Sequence, residues 1–130
     1  MKHLKFFTSL IAGLLIVCSQ ANAAETIGAR YFGAVVPTNA TTVIFSPASN
    51  VNGATIKTLS GSATNGSQMF VNAVYPDGST RTIAFLVSWT GVSPMVVLPY
   101  PVDLPAGVGL SVTLNLGTIA GQLYTTYDFK

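Results

Sequence analysis

VGLSVTLNL, residues 108–116, alternates without a break: Val108, Leu110, Val112, Leu114 and Leu116 on one side, Gly109, Ser111, Thr113 and Asn115 on the other. A period of two belongs to a β-strand, whose successive side chains point to opposite faces. A helix would instead repeat its apolar residues at three and four. The stretch therefore predicts a strand with one buried and one wet face, and a sheet of that kind needs a second layer to cover its apolar side.

The same grammar runs outward in both directions. Strands are predicted at Ala29–Val36, Thr41–Phe45, Ala54–Leu59, Gln68–Tyr75, Thr80–Trp89, Met95–Leu98, Val108–Leu116 and Leu123–Phe129. Turn residues separate them: Pro37, Asn39, Pro47, Asn52-Gly53, Asn65-Gly66 and the Pro94/Pro99/Pro101 series. The sharpest is Pro76-Asp77-Gly78-Ser79, where Pro presets φ and Gly is free to take positive φ. It joins two apolar runs and predicts a hairpin. The second arm carries Ile83, Phe85, Val87 and Trp89 on one face and Ala84 and Leu86 on the other. Apolar on both faces, it is predicted to be central or covered. Helix-favouring clusters are missing from this part of the chain, while Val, Ile, Thr, Phe and Tyr recur. The expected fold is all-β: a single β-sandwich, jelly-roll-like, of about eight strands, following an N-terminal signal helix.

That leader occupies residues 1–23. A basic start (Lys2, Lys5) precedes an apolar run from Phe6 to Val17 and then Ala21-Asn22-Ala23, whose small side chains at Ala21 and Ala23 fit a signal-peptidase site. The run is about a dozen residues, short of the roughly 20 that span a bilayer. Cleavage after Ala23 is expected to leave residues 24–130 as one domain, secreted or periplasmic, with no stable membrane span. The alternative keeps Cys18 as a lipidated first residue. Val17 before it is a poor match to the small residue such signals favour, and the simpler reading of Cys18 is a small apolar side chain in the leader.

Composition then narrows the function. Beyond residue 23 the basic side chains are Arg30, Lys57, Arg81 and Lys130, and the acidic ones Glu25, Asp77, Asp103 and Asp128. The balance is neutral, so no basic surface is expected to neutralise phosphates, and nucleic acid is not an expected partner. A surface with so few charges gives little electrostatic resistance to association, which favours a homo-oligomer or a multi-copy assembly. His3 is the chain's one histidine and Cys18 its one cysteine, both in the leader. Residues 24–130 thus have neither imidazole nor thiol for a nucleophilic triad or for a zinc or copper site. No phosphate-cradling Gly-rich motif and no calcium loop is present. The expected chain is not an enzyme and has no cofactor. Asp77 is read as a turn residue. Asp103 and Asp128 as a pair of glycosidase carboxylates, and Lys57 as a base for a serine, have no spacing to support them.

Aromatic rings remain as binding groups: Tyr31, Tyr75, Trp89, Tyr100, Tyr124 and Tyr127. Trp89 ends a predicted strand at a loop-bearing rim, Tyr100 lies between two prolines, and Asp103 follows in the same loop. These three are the candidate binding surface, with a protein or glycan of the cell envelope as the expected partner.

Two segments carry a resemblance. Asn50-Val51-Asn52-Gly53-Ala54-Thr55-Ile56-Lys57-Thr58, and Asp103-Leu104-Pro105-Ala106-Gly107-Val108-Gly109-Leu110 with the alternating strand after it, resemble the small β-sandwich domains of phage virion and tail-associated proteins. The resemblance implies the sandwich fold. The chain departs from that group in carrying an export leader. Together these readings predict an exported, non-catalytic binding or structural module; the alternative is a secreted effector or inhibitor of an envelope enzyme.

Overall fold

The computed structural model describes residues 27–63, 66–88, 101–116 and 119–130, and the strand backbone of 95–97. The leader, with Cys18, Ala21 and Ala23, lies outside the described residues, as do Trp89 and Tyr100.

Among the described residues nine strands form two antiparallel sheets: β1 (Arg30–Val36), β2 (Ala40–Phe45), β3 (Ala54–Ser62), β4 (Gln68–Val74), β5 (Thr80–Val87), β6 (Met95–Val97), β7 (Val102–Leu104), β8 (Gly109–Asn115) and β9 (Gly121–Phe129). One sheet runs β1-β9-β3, with β6 and β7 both on the far side of β3; the other runs β2-β8-β4-β5. β6 pairs with Ser60–Ser62 of β3 and β7 with Ala54–Ile56, both antiparallel. They therefore share one strand position along β3. Counted so, eight positions lie four to a sheet, and consecutive positions cross between the sheets except at the β4–β5 hairpin, which is the jelly-roll order. The sequence places residues 102–104 in a loop, and the structure forms β7 there. It is only three residues long and begins just after Pro101, which has no N–H for a ladder.

The core lies between the sheets. β8 contributes Leu110, Val112 and Leu114, β4 Met69 and Val71, β3 Ile56 and Leu59, and β9 Leu123, all fully buried or nearly so. Each such side chain stabilises the fold by roughly 1.5–3 kcal/mol relative to exposure. In β3 the inward residues Ile56 and Leu59 are three apart, which a regular strand cannot place on one face. A register shift between Ile56 and Thr58 inserts Lys57 as a bulge and resets the phase. Phe45 from one sheet meets Tyr127 and Phe129 from the other, ring centroids 4.8 and 5.2 Å away, and the Arg30 guanidinium covers Phe129 at 4.7 Å.

Three expectations are corrected. The polar face of β8 is wet only toward its C-terminal end: Ser111 is 3% exposed, whereas Thr113 is half-buried and Asn115 exposed. Ser111 stands between Val43 of β2 and Asn72 of β4 in register, so neighbouring strands cover it. Leu116 does not complete the buried series. It lies past the strand end at φ 61° and is 56% exposed. β5 is an edge strand, not a central one. Ala84 and Leu86 point inward, and Phe85 on its outer side is 62% exposed.

The Pro76–Ser79 hairpin forms as its residues predict. β4 pairs with β5, Gly78 takes φ 82°, and Asp77 Oδ1 accepts from the Ser79 N–H at 2.8 Å. At the same end of the sandwich the β2–β3 and β7–β8 loops are tied by Asn50. Its Nδ2 donates to the carbonyls of Pro105 and Val108, each at 2.8 Å, and its backbone carbonyl accepts from Gly107 N–H at 2.7 Å.

Candidate functional site

Of the three residues selected from sequence, Asp103 is the one within the described residues. It lies on β7, at the edge of the five-stranded sheet, with its side chain outward and exposed. It accepts from Thr55 Oγ1 and pairs with Lys130 Nζ at 3.0 Å. The Thr55 hydrogen bond first, and then the Lys130 contact, hold its carboxyl below the usual aspartate range. Thr55 is the register partner of Asp103 on one side and of Asp128 on the other. The two carboxylates therefore share one face, a strand apart on either side of Thr55. Asp128 Oδ1 accepts from the Ala29 N–H at 2.7 Å. Both carboxylates are thus engaged by the chain's own donors, as a structural role requires.

A depressed carboxyl stabilises the fold above its unfolded pKa, near 3.9, and that contribution is lost as the pH falls through the lower folded value. Both partners are well exposed, so the effect is small. Asp103→Asn is expected to lower the thermal midpoint slightly at pH 7, and the gap to wild type should close as the pH is taken well below 3.9. A gap that persists in acid would show that the charge is not the cause.

The same sheet carries a second feature that was not selected from sequence. On its outer side, Tyr31, Gly33 and Val35 of β1 stand opposite Thr126, Tyr124 and Gln122 of β9. Tyr31 is 67% exposed and Tyr124 43%. The Tyr31 ring folds across Gly33: a Cβ added there would collide with its hydroxyl and lie 2.5 Å from Cζ. Glycine is what lets the ring lie against the backbone, beside the register position of Tyr124. The Tyr124 hydroxyl donates to Gln122 Oε1 at 3.2 Å. Thr58 of β3 follows across the sheet, its hydroxyl 2.8 Å from that of Thr126. The charged groups of this side, Asp128, Asp103 and Lys130, gather at one end of the strands, and Lys57 acts on Asp103 there.

The four-stranded sheet also presents an apolar outer side. Phe70 and Phe85 stack across β4 and β5, centroids 6.3 Å apart at 16°, and Val43 of β2 is 60% exposed. A shallow apolar cleft of about 360 Å³ lies at the loop end, lined by Pro47, Ala48, Pro76 and Gly107. Of the remaining rings, Tyr75 lies under the Arg81 guanidinium at 5.3 Å and Tyr127 is in the core.

The signal for Tyr31 was present but ambiguous. In Arg30–Val36 both alternating faces are apolar or aromatic, so periodicity does not tell which one is wet. Among the described residues no three His, Cys, Asp or Glu side chains gather as metal ligands, and no helix is long and apolar enough to cross a membrane. Compared with known protein families and with curated proteins, the chain matches neither.

Proposed function

We propose that the chain is an exported, non-catalytic binding or structural module that acts through its sheet faces on a partner in the cell envelope or outside the cell. The observation that supports this is the pair of outer sheet faces, each uncharged over most of its width and each presenting large side chains to solvent: Tyr31 and Tyr124 on one, Phe85 and Val43 on the other. Side chains of this kind scattered singly are ordinary, but grouped on flat faces they favour contact with a partner. The jelly-roll order agrees with a recognition or assembly role, since it serves viral capsid and lectin domains alike; fold by itself does not assign function. The resemblance to phage β-sandwich domains points the same way, toward a surface-acting, multi-copy part.

Two measurements test the reading. Purified residues 24–130 are expected to co-sediment saturably with isolated cell envelopes. Sedimentation no greater than that of an unrelated β-sandwich overturns the binding role. The intact mass of the protein from fractionated cells is expected to begin at Ala24 in a soluble fraction. A membrane-bound species beginning at a lipidated Cys18 replaces the free module with a tethered one.

A further inference from the structure

We infer that the outer face of the five-stranded sheet, centred on Tyr31 and Tyr124, is a binding platform for a neutral, β-linked glycan chain; the inference rests on the binding role proposed above. Four observations converge on that ligand class. First, the Tyr31 ring is laid against the sheet over Gly33, in the space a Cβ would fill, so it offers a ring to solvent rather than a mobile side chain. Second, Gly33 is the register partner of Tyr124, which brings a second half-exposed ring to the next strand. Neighbouring strands are about 4.8 Å apart, so the two rings form one continuous floor. Third, hydroxyl and amide groups adjoin the floor: Gln122 beside Tyr124, and the Thr58–Thr126 pair. Fourth, the part of the face around Tyr31, Gly33, Tyr124 and Gln122 carries no charge, the ionic groups Lys57, Asp103, Asp128 and Lys130 lying toward the end beyond the Thr58–Thr126 pair.

The chemistry of these parts selects the ligand. The electron-rich face of an aromatic ring attracts the weakly positive C–H bonds on the flat face of a pyranose. β-Linked pyranoses with equatorial substituents expose such faces in an extended chain, which a flat sheet can follow. Hydroxyl and amide groups at the border supply hydrogen bonds to sugar hydroxyls. A floor with neither cations nor anions is matched to a neutral polymer and gives an acidic one no counter-charge.

The test is affinity electrophoresis of residues 24–130 in native gels containing lichenan, glycol chitin, dextran or polygalacturonate. Retardation is expected with lichenan or glycol chitin, with little from α-linked dextran or anionic polygalacturonate. Tyr31→Ala and Tyr124→Ala should each weaken it about tenfold, as loss of an aromatic anchor does. Gly33→Ala keeps every functional group but lifts the Tyr31 ring, and should also weaken retardation. All three positions face outward, so unchanged thermal midpoints will show that the variants fold. No retardation of the wild type by either β-linked polymer, or equal retardation of the Tyr31→Ala/Tyr124→Ala double variant, overturns the platform. If the wild type still sediments with envelopes in that case, the binding module stands and its ligand is of another class. If it binds neither, both readings fall.

Discussion

Leu110→Ala is expected to destabilise the domain by about 3 kcal/mol, within the 2–5 kcal/mol range for such truncations in a packed core. Leu110 is fully buried on β8. It is held in register between Phe45 of β2 and Ala73 of β4, and its side chain faces the other sheet. Flanked on both sides by paired strands, the site has little freedom to collapse into the space left behind, so transfer and cavity costs add. Domains of this size have roughly 5–15 kcal/mol in total, so the variant loses a large share. The thermal midpoint should drop by roughly 10–20 °C. Val43→Ala on the neighbouring strand is the control. Val43 faces outward and is mostly exposed, and its truncation should stay within about 0.5 kcal/mol. Urea unfolding measures both, with the midpoint shifted and the slope unchanged. A loss under about 1 kcal/mol for Leu110→Ala would mean that the sheets are not packed around this strand.

Asn50→Asp is expected to cost as much or more, and to do so in a pH-dependent way. The Asn50 side chain is fully buried, and its Nδ2 serves two carbonyls, those of Pro105 and Val108. Those acceptors fix which end of the amide is nitrogen, since the reverse orientation would set an oxygen against two oxygens. Its Oδ1 is buried without a partner among the described residues. Aspartate has the same shape but no donor when ionised. It would bury a charge against two carbonyl dipoles, a class of change that costs about 3–5 kcal/mol. The protonated acid has one O–H and can serve one carbonyl, so folding favours the proton and the folded pKa rises above the unfolded value near 3.9. The folded state then holds more protons, and stability falls as the pH rises. Relative to wild type at each pH, the penalty should be smallest below about pH 3.9 and grow above it until the folded pKa is passed. Asn50→Ala removes the donor without adding a charge; its cost should be about 1–3 kcal/mol and nearly independent of pH. A flat pH profile for Asn50→Asp would show that the β2–β3 and β7–β8 loops are not joined through this side chain.

The two residues differ in how far the sequence discloses them. Leu110 is evident from its place in an unbroken alternation. Asn50 is not. It reads as one member of an Asn-Val-Asn-Gly turn, and nothing local says that its amide reaches a loop more than fifty residues later. β5 shows the same limit. Its two apolar faces suggested a covered strand, yet whether it has a neighbour on its second side is settled by the order of strands, which no periodicity encodes. At the candidate site, Asp103 was legible as a polar residue in a Pro-rich segment. Its partners Thr55 and Lys130 were not, because cross-strand register brings them there. Tyr31 and Tyr124 could be listed as rings but not joined, since the link is the pairing of Gly33 with Tyr124.

What the sequence determined by itself is local: the period of two, the turn at Pro76–Ser79 and the neutral charge balance. These depend on steric limits of φ and ψ and on the apolarity of neighbouring residues, and they act over a few positions. Only the tertiary structure decided which strands are edges, that β6 and β7 share one strand position, and which aromatic residues face outward together. Those depend on register between distant segments. A shift of one residue in that register would turn every side chain of a strand to its opposite face, so burying one shared core is what selects it.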